Sequence, residues 1–381
     1  MNPLTTNSSQ PDPIGNVQDS SVSVESQGPI ASSGRSALFI GAFLPLSQGT
    51  RGISEDLSIR MASTGWQVLI TSRRSGRVSR LVDMLRTCWQ RRRQYKVAIV
   101  DLYSGPAFWG AKAVCWVLGT IGKPYVLVLH GGSLPKFAER WKTSVRALLT
   151  SAVAVTAPSH YLFDQMQSYR KDLQLLPNAI NISAYRFKHR PGASARLIWL
   201  RAFHQIYNPE MAIQVVALLK QEFPEIHLTM IGPDKGDGSL RSTLHTAERL
   251  GVTPHLTLLG AVSKDKVPEK LNGCDIFINT SRTDNTPVSV LEAMACGLCI
   301  VSTNVGGIPY LLQADREALL VESDKPATMA EAVRRLLTDS DLSKQLSSCA
   351  RRKAEQFDWS IVLPRWEQVL SSVMQTDDYH A

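Results

Sequence analysis

Long hydrophobic runs are the first thing this sequence lacks. Crossing a bilayer as a helix takes roughly 18 to 20 consecutive apolar residues. The most apolar stretch of the 381-residue chain, 113–129, is broken by Gly119, Gly122, Lys123 and Pro124, so a membrane-spanning protein is excluded. Cysteine is scarce too. Cys88, Cys115, Cys274, Cys296, Cys299 and Cys349 are scattered, and the first 34 residues have neither the basic start nor the apolar middle of an export signal. The expectation is a cytoplasmic protein with reduced thiols rather than a disulfide framework. Cys296 and Cys299 have CxxC spacing, but no second Cys or His pair stands at ligand spacing. They read as small buried hydrophobes rather than zinc ligands, and no metal or other cofactor is expected. Aromatic residues are missing from residues 1–34, which are rich in Ser, Pro, Gln, Asn and Gly and read as a disordered tail. A GxGxxG turn follows neither candidate first strand, which disfavours an NAD-dependent dehydrogenase. No Asp-x-Asp stands in a loop suited to a metal-held diphosphate.

What is present points to two domains, as 381 residues exceed the span of a single core. In 36–176, short apolar runs at 37–42, 68–71, 97–101, 125–129, 152–156 and 173–176 alternate with helical patterns at 54–64, 78–93, 106–119, 136–149 and 159–169. Runs that are apolar throughout predict strands buried on both faces, hence a parallel sheet between helical layers. After Pro177 and a polar stretch the alternation restarts. Strands are predicted at 197–200, 227–231, 256–259, 275–279, 299–302 and 318–321, with helices at 209–222, 240–250, 264–271, 287–296 and 328–337. The expected organisation is a tail over 1–34, one Rossmann-like domain over 35–180 and a second over 181–358. A helix from Trp359 to Met374 should pack back across the domains, its apolar positions recurring at helical spacing and needing a surface to cover. Charge is uneven: residues 35–180 hold 20 Lys and Arg against 7 Asp and Glu, whereas 181–381 are nearly balanced.

The most informative segment is Thr280-Ser-Arg-Thr-Asp-Asn-Thr-Pro-Val-Ser-Val-Leu-Glu-Ala-Met-Ala-Cys-Gly297. It reads as a strand end, a loop and a helix start, with Thr286 as N-cap and Pro287 as the first helical residue. The free amides of that first turn, with the helix dipole, make an anion site in the crevice beyond the strand carboxyl ends. Asp284 and Glu292, eight positions apart, suit hydroxyl donors such as those of a sugar and a ribose. Taken singly, they read more readily as an exposed loop Asp and a solvent-facing helix Glu.

This spacing resembles the E-x7-E region of the family-4 retaining glycosyltransferases, in the subgroup whose first carboxylate lies in Asp-Asn-Thr-Pro. The resemblance extends over residues 36–374 and implies the GT-B fold, two Rossmann-like doubly wound parallel sheets facing a cleft. It further implies that Glu292 holds the donor ribose, and that Asp284 and the segment after it, Asn285, Thr286, Pro287 and Val288, hold the donor sugar. Gly306 and Gly307 would form a nearby tight turn. Gln48-Gly-Thr-Arg-Gly52 resembles the family's first loop, where Gly49 and Gly52 let backbone approach the donor, and the helix after it reads as capped by Ser54. His130, ahead of Gly131 and Gly132, would face the donor sugar across the cleft. Arg201 would neutralise the diphosphate. The reaction implied is metal-free transfer from a nucleotide-sugar to an acceptor hydroxyl with retained anomeric configuration, in polysaccharide, glycolipid or cell-envelope glycan synthesis.

Two departures stand out. Relatives place a Lys about five residues beyond the Arg, where this chain has Ile206-Tyr-Asn-Pro209, so either Arg282 or Lys235 assists Arg201 or the donor phosphates are held differently. Tyr310 replaces a frequent Glu. A nucleotide-sugar epimerase and a non-catalytic nucleotide-sugar or nucleic-acid binder are the alternatives. Nucleic acid is not expected as a partner, because the basic side chains lack interleaved aromatic platforms. The expected partners are a nucleotide-sugar, a glycan or lipid-linked acceptor and an anionic membrane surface. The last rests on basic residues such as Arg91, Arg92 and Arg93, beside an apolar helical face formed by Val78, Leu81, Val82, Leu85 and Trp89; the pattern reads equally as an apolar face that covers the sheet with merely solvated charges beside it.

Overall fold

The computed structural model describes residues 34–43 and 52–378. Gly49 lies outside them. The first sheet comprises β1 (Ser36–Ile40), β2 (Gln67–Thr71), β3 (Val97–Leu102), β4 (Tyr125–Leu129), β5 (Ala154–Ala157) and β6 (Gln174–Leu175), ordered β2-β1-β3-β4-β5-β6 and parallel throughout. Its inner strands are apolar at nearly every position because both faces are covered. Leu38, Ile40, Ala98, Val100, Leu127 and Leu129 pack under α2 (Arg77–Gln90), α3 (Pro106–Thr120), α4 (Leu134–Arg140), α5 (Lys142–Ser151) and α6 (His160–Met166). The alternate residues Ala37, Phe39, Val97, Ile99, Val126 and Val128 pack under α1 (Ile53–Ser63) and the last helix, α14 (Trp359–Asp378). Val362, Trp366, Val369, Leu370 and Val373 recur on one side of α14 and are buried there, so the chain's final helix completes the core of its first half.

The second sheet comprises β7 (Arg196–Leu200), β8 (His227–Ile231), β9 (Leu256–Leu258), β10 (Ile276–Asn279), β11 (Cys299–Thr303) and β12 (Ala318–Val321), ordered β12-β11-β10-β7-β8-β9 and again parallel. On one face lie α7 (Pro209–Leu219), α8 (Ser239–Arg249) and α12 (Pro326–Thr338). On the other lie α9 (Val267–Asn272), α10 (Val288–Ala295) and α11 (Ile308–Leu311), while α13 (Ser340–Ala354) contributes to both cores. In each sheet the winding reverses direction once, between β1 and β3 and between β7 and β10. Crevices open at such reversals, beyond the strand carboxyl ends.

Several expectations change. The single helix over 136–149 is two, α4 and α5, broken at Trp141, whose backbone (φ −120°, ψ 39°) leaves the helical region. Trp141 instead sets its ring edge-on to Trp109, 5.2 Å away. The α13 helix was not anticipated, although the Asp339 side chain caps it by accepting from the Leu342 amide at 2.9 Å. On α2 the five apolar residues do not share a face: Leu81 and Leu85 pack against the core, while Val78, Val82 and Trp89 are exposed.

Candidate active site

The carboxyl ends of β7 and β10 bring together residues that lie far apart in sequence. Arg201 leaves β7 and donates to the Asp284 carboxylate, which also accepts from the Ser281 hydroxyl at 3.0 Å and from the Asn285 amide at 3.0 Å. The guanidinium sits over the Tyr207 ring, 4.4 Å from its centroid, and its buried Nε has no hydrogen-bond partner among the described residues. Burial works against the charge of Arg201, but Asp284 and Tyr207 outweigh it and hold its pKa above the ordinary value. Asp284 is only 8% exposed and Glu292 6%, so neither is a solvated surface acid. Glu292 accepts from the Tyr185 hydroxyl at 2.7 Å. Burial pushes its carboxyl above the usual range, although the Tyr185 bond pulls the other way.

The turn after β11 presses on the back of this loop. A Cβ on Gly306, whose φ is +53°, would stand 2.1 Å from the Asp284 carbonyl oxygen, and one on Gly307 would stand 2.2 Å from that of Asn285. The Gly307 amide donates to the Asp284 carbonyl at 3.1 Å. Only glycine lets the two backbones meet this closely. From the first half, Gly132 approaches the same carbonyl: its Cβ would lie 2.7 Å away. Ser159 donates to the Asn285 side chain, Thr286 to the Pro158 carbonyl at 3.4 Å, and Asn178 to the Thr286 carbonyl at 3.0 Å.

Thr286 is therefore not the N-cap. Pro287, extended at φ −69° and ψ 122°, takes that place and α10 begins at Val288, because the Thr286 hydroxyl is engaged by the first half. The first-turn amides of α10 open into the loop as helix geometry requires, and the buried Ser289 hydroxyl beside them has no partner among the described residues.

His130 follows β4 and lies 3.0 Å, through Nε2, from the Asp101 carboxylate on β3. Tyr103 stacks on its ring at 4.7 Å. Ser54 also donates to Asp101, and so does not cap α1, whose N-cap is Gly52. A Cβ on Gly52 would meet no described heavy atom within 4 Å. Asp101, Tyr185, Ser159 and Tyr207 were not singled out from the sequence. Asp101 alone offered a signal, an acid inside an otherwise apolar strand. Arg282 is tied to Asp324 and to the Gln205 carbonyl, each at 2.8 Å, and Tyr310 stands near Tyr161, with ring centroids 5.9 Å apart. Cys296 and Cys299 are buried, and desolvation pushes their thiols to about 12 and about 11.

Comparison with known proteins agrees with this layout. Residues 182–353 match the family model for glycosyl transferases group 1. A D-inositol 3-phosphate glycosyltransferase of Paenarthrobacter aurescens is 24% identical over 70% of this chain and 69% of its own length. The N-acetyl-alpha-D-glucosaminyl L-malate synthase of Bacillus anthracis is 27% identical over 66% and 68%. Another D-inositol 3-phosphate glycosyltransferase, of Salinispora arenicola, is 31% identical over 40% of this chain, which there spans only 35% of the relative's length. Among solved structures, a sucrose-phosphate synthase of Thermosynechococcus elongatus superposes with a TM-score of 0.76 at 15% identity, over 90% of this chain and all of its own. Anabaena HepE in complex with UDP-glucose gives 0.71 at 18% identity, over 88% and 99%. Likeness at these identities establishes the fold, two parallel sheets in the GT-B arrangement, and the chain carries within it, over residues 182–353, a glycosyl transferases group 1 domain.

Proposed function

We propose that this protein moves a sugar from a nucleotide-sugar to an acceptor hydroxyl with its anomeric configuration retained, as a family-4 enzyme of glycan synthesis. The observation that carries this reading is the Arg201–Asp284 pair at the reversal between β7 and β10, with the Arg201 Nε and the Ser289 hydroxyl in the first turn of α10 both buried and unpartnered among the described residues. A diphosphate supplies the acceptors these donors lack, and the amides of Val288 and Ser289 add the positive end of a helix. Arg201 then stabilises the charge that develops on the departing nucleoside diphosphate, which needs no metal. Glu292 accepts from the ribose hydroxyls, in the place Tyr185 now occupies in part. Asp284 and the loop through Asn285, Thr286 and Pro287, backed by Gly306 and Gly307, hold the sugar. His130, fixed by Asp101, meets it from the first half. With no second carboxylate placed as a nucleophile among the described residues, attack comes on the face the leaving phosphate vacates. Anabaena HepE was solved with UDP-glucose, a donor of the kind required.

The test is a thermal-shift screen against nucleoside diphosphates and nucleotide-sugars, followed by transfer assays with the stabilising donor. Stabilisation by one diphosphate that is lost in Arg201→Ala supports the reading. No response to any of them overturns it, and epimerised donor formed without an acceptor assigns the fold to epimerisation instead.

A further inference from the structure

The helical layer formed by α2 to α5 turns an apolar and basic surface outward. On α2 the core takes Leu81, Leu85 and Cys88. Val78, Val82, Arg86 and Trp89 form a separate outer stripe, continued by Arg93 just beyond the helix. Val78 is 78% exposed, Val82 57% and Trp89 53%. On α3, Trp109, Lys112 and Trp116 share one side at spacings of three and four, and Trp116 is 71% exposed. The two helices lie together, Leu81 of α2 being 3.7 Å from where a Gly110 Cβ would stand on α3. Cations sit over the rings: Arg92 over Trp89 at 4.9 Å, Lys112 over Trp109 at 5.4 Å and Arg140 over Trp141 at 5.9 Å. Helices α2 to α5 carry eight Lys and Arg against two acids, Asp83 and Glu139, and Asp83 turns toward Thr71, 3.4 Å away. Beside Trp141, the outer side of α5 lines a cavity of about 610 Å³ with Lys142, Arg146 and Thr150.

We propose that this layer docks on the surface of an anionic bilayer. Tryptophan suits the headgroup level, apolar in its body and polar at its N–H. Val78 and Val82 gain by leaving water, and the arginines and lysines around them are drawn to anionic headgroups. Single-stranded nucleic acid fits less well. Trp109 and Trp141 meet at 88° rather than forming a platform on which bases stack, and exposed valines offer it nothing. The inference rests on this surface alone, independently of the proposed transfer reaction, and if both hold it points to an acceptor carried by lipid.

The full chain, without donor, should sediment with vesicles of phosphatidylcholine mixed with phosphatidylglycerol and not with phosphatidylcholine alone. Salt should weaken the binding, and tryptophan emission should shift to the blue on binding. Arg86, Arg91 and Arg93 changed together to Gln should lower the affinity about a hundredfold, from about fivefold per charge. Trp116→Ala, at an exposed site, should lower it by about tenfold. Both variants should keep the wild-type melting temperature and nucleotide binding, which separates failure here from failure of the proposed reaction. Negligible binding to both vesicle types at low salt, undiminished binding by both variants, or capture of single-stranded DNA in place of vesicles overturns the proposal.

Discussion

Replacing Asp284 by Asn tests whether Arg201 is held ready for a diphosphate. The Arg201 side chain is 17% exposed and that of Asp284 8%, so the pair is largely out of water. Removing one partner of such a pair costs about 3–5 kcal/mol, chiefly because the other charge stays buried. Asn keeps an acceptor for Ser281 and for the guanidinium, which places the cost near the lower end, about 3 kcal/mol. At about 2 °C per kcal/mol for a chain of this size, the melting temperature should fall by about 6 °C. In the wild type a diphosphate must share Arg201 with Asp284, whereas in the variant it meets an uncompensated cation. A ligand that binds only the folded state raises stability with its affinity, so the nucleoside diphosphate should protect Asp284→Asn more than it protects the wild type, even as sugar transfer falls. Fluorimetric melting with titrated nucleoside diphosphate reads both effects. A variant that melts within about 1 °C of the wild type, or one that gains less from the ligand, refutes the reasoning.

Glu292→Gln should weaken nucleotide binding by roughly tenfold to a hundredfold, the loss of a charge-assisted bond worth about 1.5–3 kcal/mol, measured by titration calorimetry. Because the folded-state pKa of Glu292 is raised, its contribution to stability is full below the ordinary carboxyl pKa and is lost as pH climbs through the folded value. The ligand-free Gln variant should therefore melt higher than the wild type at neutral pH, with the gap closing in acid. Arg201→Ala should lower both diphosphate affinity and transfer rate, and a chelator should leave wild-type transfer intact; loss of activity on chelation, restored by added metal, would move the phosphate chemistry onto an ion. Gly307→Ala, whose new methyl would stand 2.2 Å from the Asn285 carbonyl oxygen, should displace the loop and abolish transfer while the circular dichroism spectrum remains native.

The strands were legible because a parallel strand buried on both faces has no polar alternation to blur it. The two halves of the site that lie within one stretch, Asp284 to Glu292 with the turn at Gly306 and Gly307, could be marked as a unit for the same local reason. What failed is nonlocal or lacks punctuation. The break at Trp141 carries neither Pro nor Gly, so a helical pattern runs through it. On α2, the stripe of Val78, Val82 and Trp89 lies beside that of Leu81, Leu85 and Cys88, and apolar spacing alone merges the two. The Tyr185–Glu292 and Ser159–Asn285 bonds join residues 107 and 126 positions apart, and no periodicity encodes such a meeting. Asp101 was the missed clue, since an acid inside an apolar strand must find partners, and here it finds His130 and Ser54.

The loop between β10 and α10 is also where the two halves of the chain touch. The Asp284 carbonyl is backed by Gly306 and Gly307 from its own half and by Gly132 from the other. The next two residues are held from the first half as well, Asn285 by Ser159 and Thr286 by Pro158 and Asn178. A further link between the halves, Lys264 with Asp56, lies close enough to Glu292 for both charges to act on its carboxyl. Separating the halves must break these bonds, and those at Asn285 and Thr286 act on the backbone that positions Asp284 and starts α10. Arg201, tied to Asp284, feels the same displacement. Loop position and cleft closure are therefore one equilibrium, and whatever binds the ordered loop more tightly than the released one must also favour closure. His130 gains its place by the same logic: it stands two residues before Gly132, so the contact that shapes the Asp284 loop also brings the imidazole and its Asp101 partner up to it. In the proposed reaction, a side chain that faces the sugar only when the halves meet restricts chemistry to the closed state, which keeps a reactive donor from water until then.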